Sequence, residues 1–313
     1  MTGTPVRHRT LEVDGPLDLR RTLAALRVGH RDPTMRLDDR TLVRATWTPQ
    51  GPATLRVDLD AATGRLDAVA AGPGADHALE HVPDLLGLHD DRRGFAPDRH
   101  EVVARYDRRL PGFRIGRTLQ VVDVLAPTIL AQKVTGGEAV ESFQHLVRVA
   151  DHPAPGGPDL PDDLLLPPPA EWWGHTPTWQ YTAAGVDGTR ARTLIEAHRR
   201  IDRLEEAIAM TPADARVRLT AIRGIGAWTA AIVERLARGD PDAIEVGDFH
   251  LPNTVAWNLA REPRADDERM LALLAPFAGH RGRVARLCEL AGSFAPKRGP
   301  RHQVRSFGAR RRR

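Results

Sequence analysis

The stretch LTAIRGIGAWTAAIVERLARGDPDAIEVGDFHLP, from Leu219 to Pro252, decides the fold of this chain. It predicts a helix end, a tight glycine turn at Gly224 and Gly226, a second helix, and a loop that carries Asp248. The turn leaves backbone N–H groups exposed at the start of the second helix, where free donors and the helix dipole together bind phosphate. One short segment therefore offers a grip for a nucleic-acid backbone and a carboxylate at a fixed offset from it.

The helices on either side of this turn have start signals of their own. The first helix opens with Thr211 as its cap, Pro212 in the first turn and Asp214 three residues after the cap, which is a capping-box pattern. Asp248 comes shortly before a helix that begins near Leu251, and aspartate before a helix is often a cap. Asp248 therefore has two interpretations, a helix cap and a catalytic carboxylate.

Three motifs of this segment, in this order and spacing, resemble the helix-hairpin-helix DNA glycosylases, and most closely the 3-methyladenine DNA glycosylase II family. They are the hairpin Ile222-Arg223-Gly224-Ile225-Gly226, the helix start Trp228-Thr229-Ala230, and Asp248 followed by Phe249. The resemblance covers roughly residues 100–295 well and the preceding residues loosely. It implies an α+β fold, in which a small N-terminal antiparallel sheet with two helices precedes an all-α helix-hairpin-helix region.

The resemblance also implies roles for individual residues. Asp248 is implied as the catalytic carboxylate, and Trp228 and Phe249 as parts of a pocket for the base. Trp228 stands where bifunctional relatives carry a lysine nucleophile, which implies a monofunctional hydrolase; packing in the core of the second hairpin helix is the alternative interpretation of this residue. The implied DNA contacts are Gly224, Ile225, Gly226, Gln132 and Lys133, and the implied site of a monovalent cation is the backbone of Thr220, Ile222 and Ile225.

Two positions depart from the family pattern. The best-known members have an apolar residue directly after the glutamine that corresponds to Gln132, and they insert it into the gap left by the flipped base. This chain has Lys133 at that position. Lysine contacts phosphate but intercalates poorly, so the wedge is Val134 or a different residue. An aromatic residue one turn past Trp228 is replaced by Ile232, which leaves the lesion range open.

The chemistry of such a site follows from the bond to be broken. A base inside a duplex must be rotated out before an enzyme reaches it, and cleavage of its N-glycosidic bond builds positive charge on the sugar. An ionised carboxylate beside the sugar stabilises that charge and orients the attacking water. Alkylated purines such as 3-methyladenine leave easily because they are already cationic, so one aspartate suffices. We therefore expect a base-excision repair enzyme without a cofactor; glycosylases for deaminated or bulky adducted bases and a non-enzymatic helix-hairpin-helix DNA-binding protein are the alternatives.

The charge of the chain is unevenly distributed. Residues 297–313 hold eight of the 45 Lys and Arg residues and no acid, so residues 1–296 carry 37 basic and 41 acidic side chains, a net charge of −4. DNA affinity then requires local basic surfaces and backbone donors rather than a uniformly positive protein. The basic tail either attracts phosphate without sequence preference or is a disordered solubilising end.

The apolar pattern divides the chain into an α+β domain over residues 1–95, a helical helix-hairpin-helix region over 96–296 and the basic tail over 297–313. Strands are predicted over residues 7–13, 42–47, 54–59 and 66–71, and helices over 17–28, 75–88, 189–208, 270–274 and 284–290. The single cysteine, Cys288, excludes a disulfide framework and a four-cysteine iron–sulfur cluster. No His, Cys and Asp cluster has the spacing of a zinc site.

The sequence also carries no signal for a membrane. No apolar run approaches the roughly 20 residues of a membrane span, and the N-terminus lacks the apolar core of a signal peptide. We therefore expect a soluble, cytoplasmic and nucleoid-associated protein that acts as a monomer on double-stranded DNA containing alkylated bases.

Overall fold

The chain begins with an antiparallel sheet and continues with helices. A computed structural model describes residues 6–291 and 294–295, and the basic tail predicted over 297–313 lies outside these residues. The α+β architecture expected from the sequence is confirmed. The predicted boundary between residues 95 and 96 stays a prediction.

The sheet has five antiparallel strands in the order β1-β5-β4-β3-β2. The strands are β1 (Val6–Glu12), β2 (Met35–Leu37), β3 (Thr41–Thr48), β4 (Gly51–Asp60) and β5 (Arg65–Ala71). Asp60 closes the turn between β4 and β5, because its carboxylate accepts hydrogen bonds from the Ala62 N–H at 2.9 Å and the Thr63 hydroxyl at 2.8 Å. Strand β2 was not predicted, since three residues are too few to show an alternating pattern.

Fifteen α-helices lie within the described residues. Those beside the sheet are α1 (Leu19–Leu23), α2 (Ala75–Glu80) and α3 (Val82–Leu85). The next are α4 (Glu101–Arg109), α5 (Val122–Leu130), α6 (Gly136–Ala150), α7 (Ala170–His175), α8 (Thr178–Ala183), α9 (Gly188–His198) and α10 (Ile201–Glu205). The last are α11 (Pro212–Thr220), α12 (Ala227–Arg238), α13 (Leu251–Ala260), α14 (Asp267–Leu274) and α15 (Arg281–Leu290).

The helices beside the sheet share one apolar core with it. Leu19 of α1, Leu42, Val57 and Leu66 of the sheet, and Val82 of α3 are all buried in this core. Both helices predicted here are longer than the observed ones. The first ends as a 3₁₀ turn over Ala24–Leu26, and the second is divided into α2 and α3 just before a proline, whose missing N–H and ring interrupt a helix.

The remaining helices form two groups with separate cores. The first helical group (α5–α12) surrounds a core that includes Leu125, Leu194 and Val233. The second helical group (α4 and α13–α15) surrounds a core that includes Val255 and Leu287. Helices α11 and α12 of the first group form the predicted hairpin, and residues 239–250 connect α12 to α13 of the second group. This connection therefore joins the two groups.

The long helix predicted over residues 189–208 is divided in the structure. Helix α9 ends at His198, and Arg200 has left the helical region, with φ −118° and ψ 21°. Leu194 of α9 and Leu204 of α10 are nevertheless buried in the same core. The apolar stripe runs through the break unchanged, so periodicity alone did not detect it.

Candidate active site

The hairpin turn between α11 and α12 depends on a glycine for an internal reason. Gly224 has a φ of +94°, and a Cβ atom at this position would overlap the hydroxyl of Thr193 on α9. The turn is closed by a hydrogen bond from the Ile225 N–H to the Ile222 carbonyl at 3.0 Å. Both isoleucine side chains are buried in the core of the first helical group, and this packing fixes the turn to the core.

Gly226 has no internal reason to be a glycine. It precedes α12 with φ −100° and ψ −173°, which is extended backbone that any residue adopts. Among the described residues, no atom lies within 4 Å of the place a Cβ would take, and no side chain caps this helix start. Gly226 and Ala227 are exposed, so the start of α12 is accessible from solvent, as binding of a phosphate requires.

The turn between α5 and α6 braces the hairpin. The side-chain amide of Gln132 donates to the Gly224 carbonyl at 2.9 Å and to the Thr229 hydroxyl at 2.8 Å. Lys133 follows in the left-handed region, with φ 56°, and its side chain is exposed. The structure thus brings Gln132 and Lys133 next to the hairpin, with the Gln132 amide N–H group held by the protein itself. Their predicted DNA contacts stay predictions.

Asp248 lies on the loop that enters α13, and both of its carboxylate oxygens are engaged. Oδ1 accepts hydrogen bonds from the backbone N–H groups of His250 at 2.7 Å and Leu251 at 2.8 Å. Oδ2 accepts one from the indole Nε1 of Trp228 at 2.9 Å. The first pair caps α13, and the third bond ties the carboxylate to the first turn of α12.

These contacts keep the Asp248 carboxyl ionised at neutral pH. Burial opposes ionisation, but the hydrogen bonds from Trp228, Leu251 and His250 and the positive charge of Arg286 outweigh it and hold the pKa of Asp248 below its ordinary value. Asp248 is only half-buried, so the anion remains accessible from solvent.

The two aromatic residues expected in a base pocket have different surroundings. Trp228 is half-buried and donates its indole N–H to Asp248, a role that neither sequence interpretation included. Phe249 is 75% exposed and lies edge-on to the His250 ring, with ring centroids 4.9 Å apart. The Trp228 ring contacts the carboxylate, and Phe249 directly follows Asp248 in the chain. Stacking of either ring on a base stays a prediction.

Three charged residues behind Asp248 were missed in the sequence. Glu245 is buried, and its carboxylate accepts from Arg235 Nε on α12 at 2.8 Å and from an Arg286 Nη on α15 at 3.2 Å. Arg235 follows Trp228 by seven residues, two turns along the same face of α12. That spacing was the available signal, whereas nothing local indicated that Arg286 would join them.

The resemblance implies a monovalent cation on backbone oxygens of the hairpin, and this site stays a prediction. The Thr220 carbonyl lies at the end of α11, where the last carbonyls of a helix have no intrahelical donor, and the Ile222 carbonyl lies just beyond it and accepts the turn hydrogen bond from the Ile225 N–H. Neutral oxygen atoms of this kind suit a hard cation. Within the described residues, no group of three or more His, Cys, Asp or Glu side chains could hold a metal ion.

Comparison with solved structures identifies the fold. A 3-methyladenine DNA glycosylase from Archaeoglobus fulgidus superimposes with a TM-score of 0.76 at 16% identity, over 90% of this chain and 97% of that one. An 8-oxoguanine glycosylase/lyase from Clostridium acetobutylicum, in complex with double-stranded DNA, gives 0.67 at 12% identity, over 92% and 97%. The Schizosaccharomyces pombe 3-methyladenine DNA glycosylase Mag1, in complex with abasic DNA, gives 0.50 at 17% identity, over 63% and 95%.

These similarities establish the fold and not the reaction. No protein-family model matches the chain, and no curated protein matches it either. The chain therefore shares the helix-hairpin-helix fold of DNA glycosylases at low sequence identity. Among the described residues, no helix is long and apolar enough to cross a membrane.

Proposed function

We propose that this protein is a monofunctional DNA glycosylase of base excision repair that removes alkylated purines, such as 3-methyladenine, from double-stranded DNA. The proposal rests on the glycine hairpin, on the Asp248 carboxylate and on the fold shared with DNA glycosylases. It includes action as a monomer, in the cytoplasm and at the nucleoid, without an organic cofactor.

One observation carries the proposal: the hydrogen bond of 2.9 Å between Trp228 Nε1 and Asp248 Oδ2. Trp228 belongs to the first turn of α12, the helix whose N-terminus faces open space at Gly226. The bond thus fixes an ionised carboxylate relative to a phosphate-binding helix start. The cap on α13 accounts for one oxygen of Asp248, but it gives no reason to hold the other oxygen at the start of α12, where an anion repels phosphate.

The proposed reaction begins when the hairpin binds the backbone and the damaged nucleotide is rotated out of the duplex. As the N-glycosidic bond breaks, positive charge develops on the sugar, and the Asp248 carboxylate stabilises it. Asp248 also orients the water that attacks the sugar carbon. The attacking water forms the new bond to the sugar carbon and gives its proton to solvent, and the alkylated base, cationic while attached, departs as a neutral molecule with the electron pair of the broken bond.

The depressed pKa of Asp248 favours cationic bases as substrates. A carboxylate with a low pKa is a weak general base, and the structure places three hydrogen-bond donors on it. Such a group stabilises charge better than it removes protons. Alkylated purines match this site, because their leaving groups need no strong acid and their sugars pass through a cationic state.

Trp228 supports hydrolysis by water rather than by an amine. It stands two residues after Gly226, where bifunctional relatives carry a lysine, and an indole forms no Schiff base. Gln132, Lys133 and the hairpin backbone complete the proposed DNA surface. A monovalent cation on the backbone of the hairpin would add positive charge beside the phosphate.

The test is a glycosylase assay on duplexes that each contain one 3-methyladenine, 7-methylguanine, hypoxanthine, uracil, 8-oxoguanine or normal base. We expect base release from the methylated purines, and none of it with the Asp248→Asn variant as a control. Release restricted to a deaminated or oxidised base would change the substrate class. Binding without release from any duplex would leave the non-enzymatic alternative.

A further inference from the structure

The loop that carries Asp248 is held from four helices. Trp228 of α12 binds the carboxylate, and the N-terminus of α13 is capped by it. Asp267 of α14 accepts a hydrogen bond from the Gly247 N–H at 3.0 Å. Arg286 of α15 completes the set through Glu245, so the loop is fixed on every side except the one facing solvent.

Glu245 is the anchor at the inner end of this loop. A backbone hydrogen bond of 3.1 Å joins the Asp248 N–H to the Glu245 carbonyl, so the two residues share one turn. The Glu245 side chain is buried and bound by Arg235 at 2.8 Å and Arg286 at 3.2 Å. A displacement of Glu245 therefore moves Asp248 as well.

Arg286 stands between three carboxylates. It contacts Glu245 and Glu289, and its charge also acts on Asp248. Its Nε atom is buried and has no hydrogen-bond partner among the described residues. A guanidinium that loses one hydrogen bond on burial requires strong compensation from charge. The neighbouring acids supply that compensation.

We infer that Arg286 is a positioning residue, which holds the Asp248 carboxylate in place through its contact with Glu245 and its positive charge. The inference rests on the proposed function. It adds a residue that touches neither base nor sugar and acts through the catalytic carboxylate.

The groups that face Asp248 come from every element around it. The Trp228 indole and the His250 backbone N–H contact Asp248 directly, and Asp267 of α14 binds the neighbouring Gly247 N–H. Arg235 of α12 and the residues Glu245, Arg286 and Glu289 form the inner cluster. Burial raises the pKa of Glu289. Burial also acts on Glu245, but the charges of Arg286 and Arg235 outweigh it and lower the pKa of that carboxyl. As pH falls, Glu289 therefore takes up a proton before Asp248 does.

The experiment compares Arg286→Met, Arg286→Gln and Arg286→Lys with the wild type. The titration of Asp248 is followed by the NMR signals of ¹³C-labelled aspartate carboxyls, assigned by their loss in Asp248→Asn, and single-turnover base release is measured against pH. Loss of the positive charge should move the Asp248 titration to higher pH, and the pH below which base release slows should rise with it. Lysine should restore both.

Arg283→Met is the matched control. Arg283 lies three residues earlier on α15, is 1% exposed, and pairs with Asp90 at 2.9 Å, away from Asp248. The Arg283→Met variant should lower the free energy of unfolding, as Arg286→Met does, but it should leave the Asp248 titration unchanged. An unchanged titration in Arg286→Met and Arg286→Gln, or an equal movement in Arg283→Met, would overturn the inference. Because the NMR titration needs no substrate, a wild type without glycosylase activity would refute the proposed function and still test Arg286.

Discussion

Asp248 caps α13 as one of its two interpretations predicted, and its catalytic role stays a proposal. Oδ1 caps α13 through two backbone N–H groups, and Oδ2 receives the indole N–H of Trp228. The sequence motif identified the residue, but it presented the cap and the catalytic group as alternatives. In the structure, the cap orients the carboxylate and helps to keep it ionised.

The first prediction separates these roles at Asp248. Asn keeps an oxygen for the cap, but it has no charge and turns an amide toward Trp228. Asp248→Asn should therefore lower single-turnover base release by about 100-fold or more, while binding to lesion DNA is unchanged or tighter.

Asp248→Ala should show the structural cost that the asparagine variant avoids. It removes the cap as well, and should lower the free energy of unfolding by about 1 kcal/mol more than Asp248→Asn in urea titrations. A loss in rate below tenfold for Asp248→Asn would remove this residue from the mechanism.

The second prediction distinguishes donation from stacking at Trp228. Trp228→Phe keeps an aromatic ring but loses the N–H, and one hydrogen bond to a charged group is worth about 1.5–3 kcal/mol. The rate of base release should fall about tenfold or more. The pH below which this rate declines should rise, because the carboxylate then takes up a proton more easily. Trp179→Phe, at a residue that is 70% exposed on α8, is the control. Full activity in Trp228→Phe would favour stacking as the role of the ring.

At the scale of elements, the hairpin contains two glycines that the sequence motif does not distinguish. Gly224 is required by the fold, since its φ is +94° and Thr193 occupies the place of a Cβ. Gly226 meets no described atom there. A DNA phosphate that approaches the backbone would give Gly226 a reason to lack a side chain.

The third prediction compares substitutions at Gly226 and Gly224. Gly226→Val should fold like the wild type and bind damaged and undamaged duplexes equally weakly, because phosphate contacts position DNA without reading it. Gly224→Ala should instead lower the melting temperature, because a side chain is strained at this φ and would collide with Thr193. Normal affinity in Gly226→Val for undamaged DNA, measured by fluorescence anisotropy, would exclude the hairpin as the backbone grip.

Local signals in the sequence predicted the elements well, and tertiary contacts explain the differences. The hairpin and the start of α11 at Thr211 follow from turn and cap residues that act over a few positions. The break at Arg200 was missed because the buried stripe continues across it. Contacts of Asp248 with Trp228 and of Glu245 with Arg286 depend on the path of residues 239–247 and on the packing of α15. No periodic pattern in the sequence predicts these tertiary contacts.

At the scale of the whole molecule, the site lies where the two helical groups meet. Asp248 lies in residues 239–250, which connect the hairpin of the first group to α13 of the second. The hairpin, which is proposed to bind DNA, lies in the first group, and the carboxylate lies on the connection to the second. The bond between Trp228 and Asp248 and the cluster around Glu245 hold the two together. A negative net charge over residues 1–296 makes this local arrangement more important than the overall field.

The fourth prediction concerns the basic tail, residues 297–313, and rests on its charge alone. Each phosphate neutralised by a basic side chain adds about 0.9 to the slope of log affinity against log salt. Removal of the eight basic residues of the tail should lower that slope and leave single-turnover base release at saturating protein unchanged. An unchanged slope would show that the tail does not touch DNA.

The last prediction concerns the covalent course of the reaction. The chain contains only two lysines, Lys133 and Lys297, so few amines could form a Schiff base with the sugar. With Trp228 in place of a lysine, the product should be an intact abasic site, which breaks only after added alkali. Borohydride reduction during turnover should trap no protein–DNA adduct, whereas a glycosylase/lyase used as a positive control should give one. An adduct that persists in a denaturing gel and disappears in Lys133→Arg would identify Lys133 as a nucleophile. That result would overturn the monofunctional assignment and leave the fold and the role of the hairpin intact.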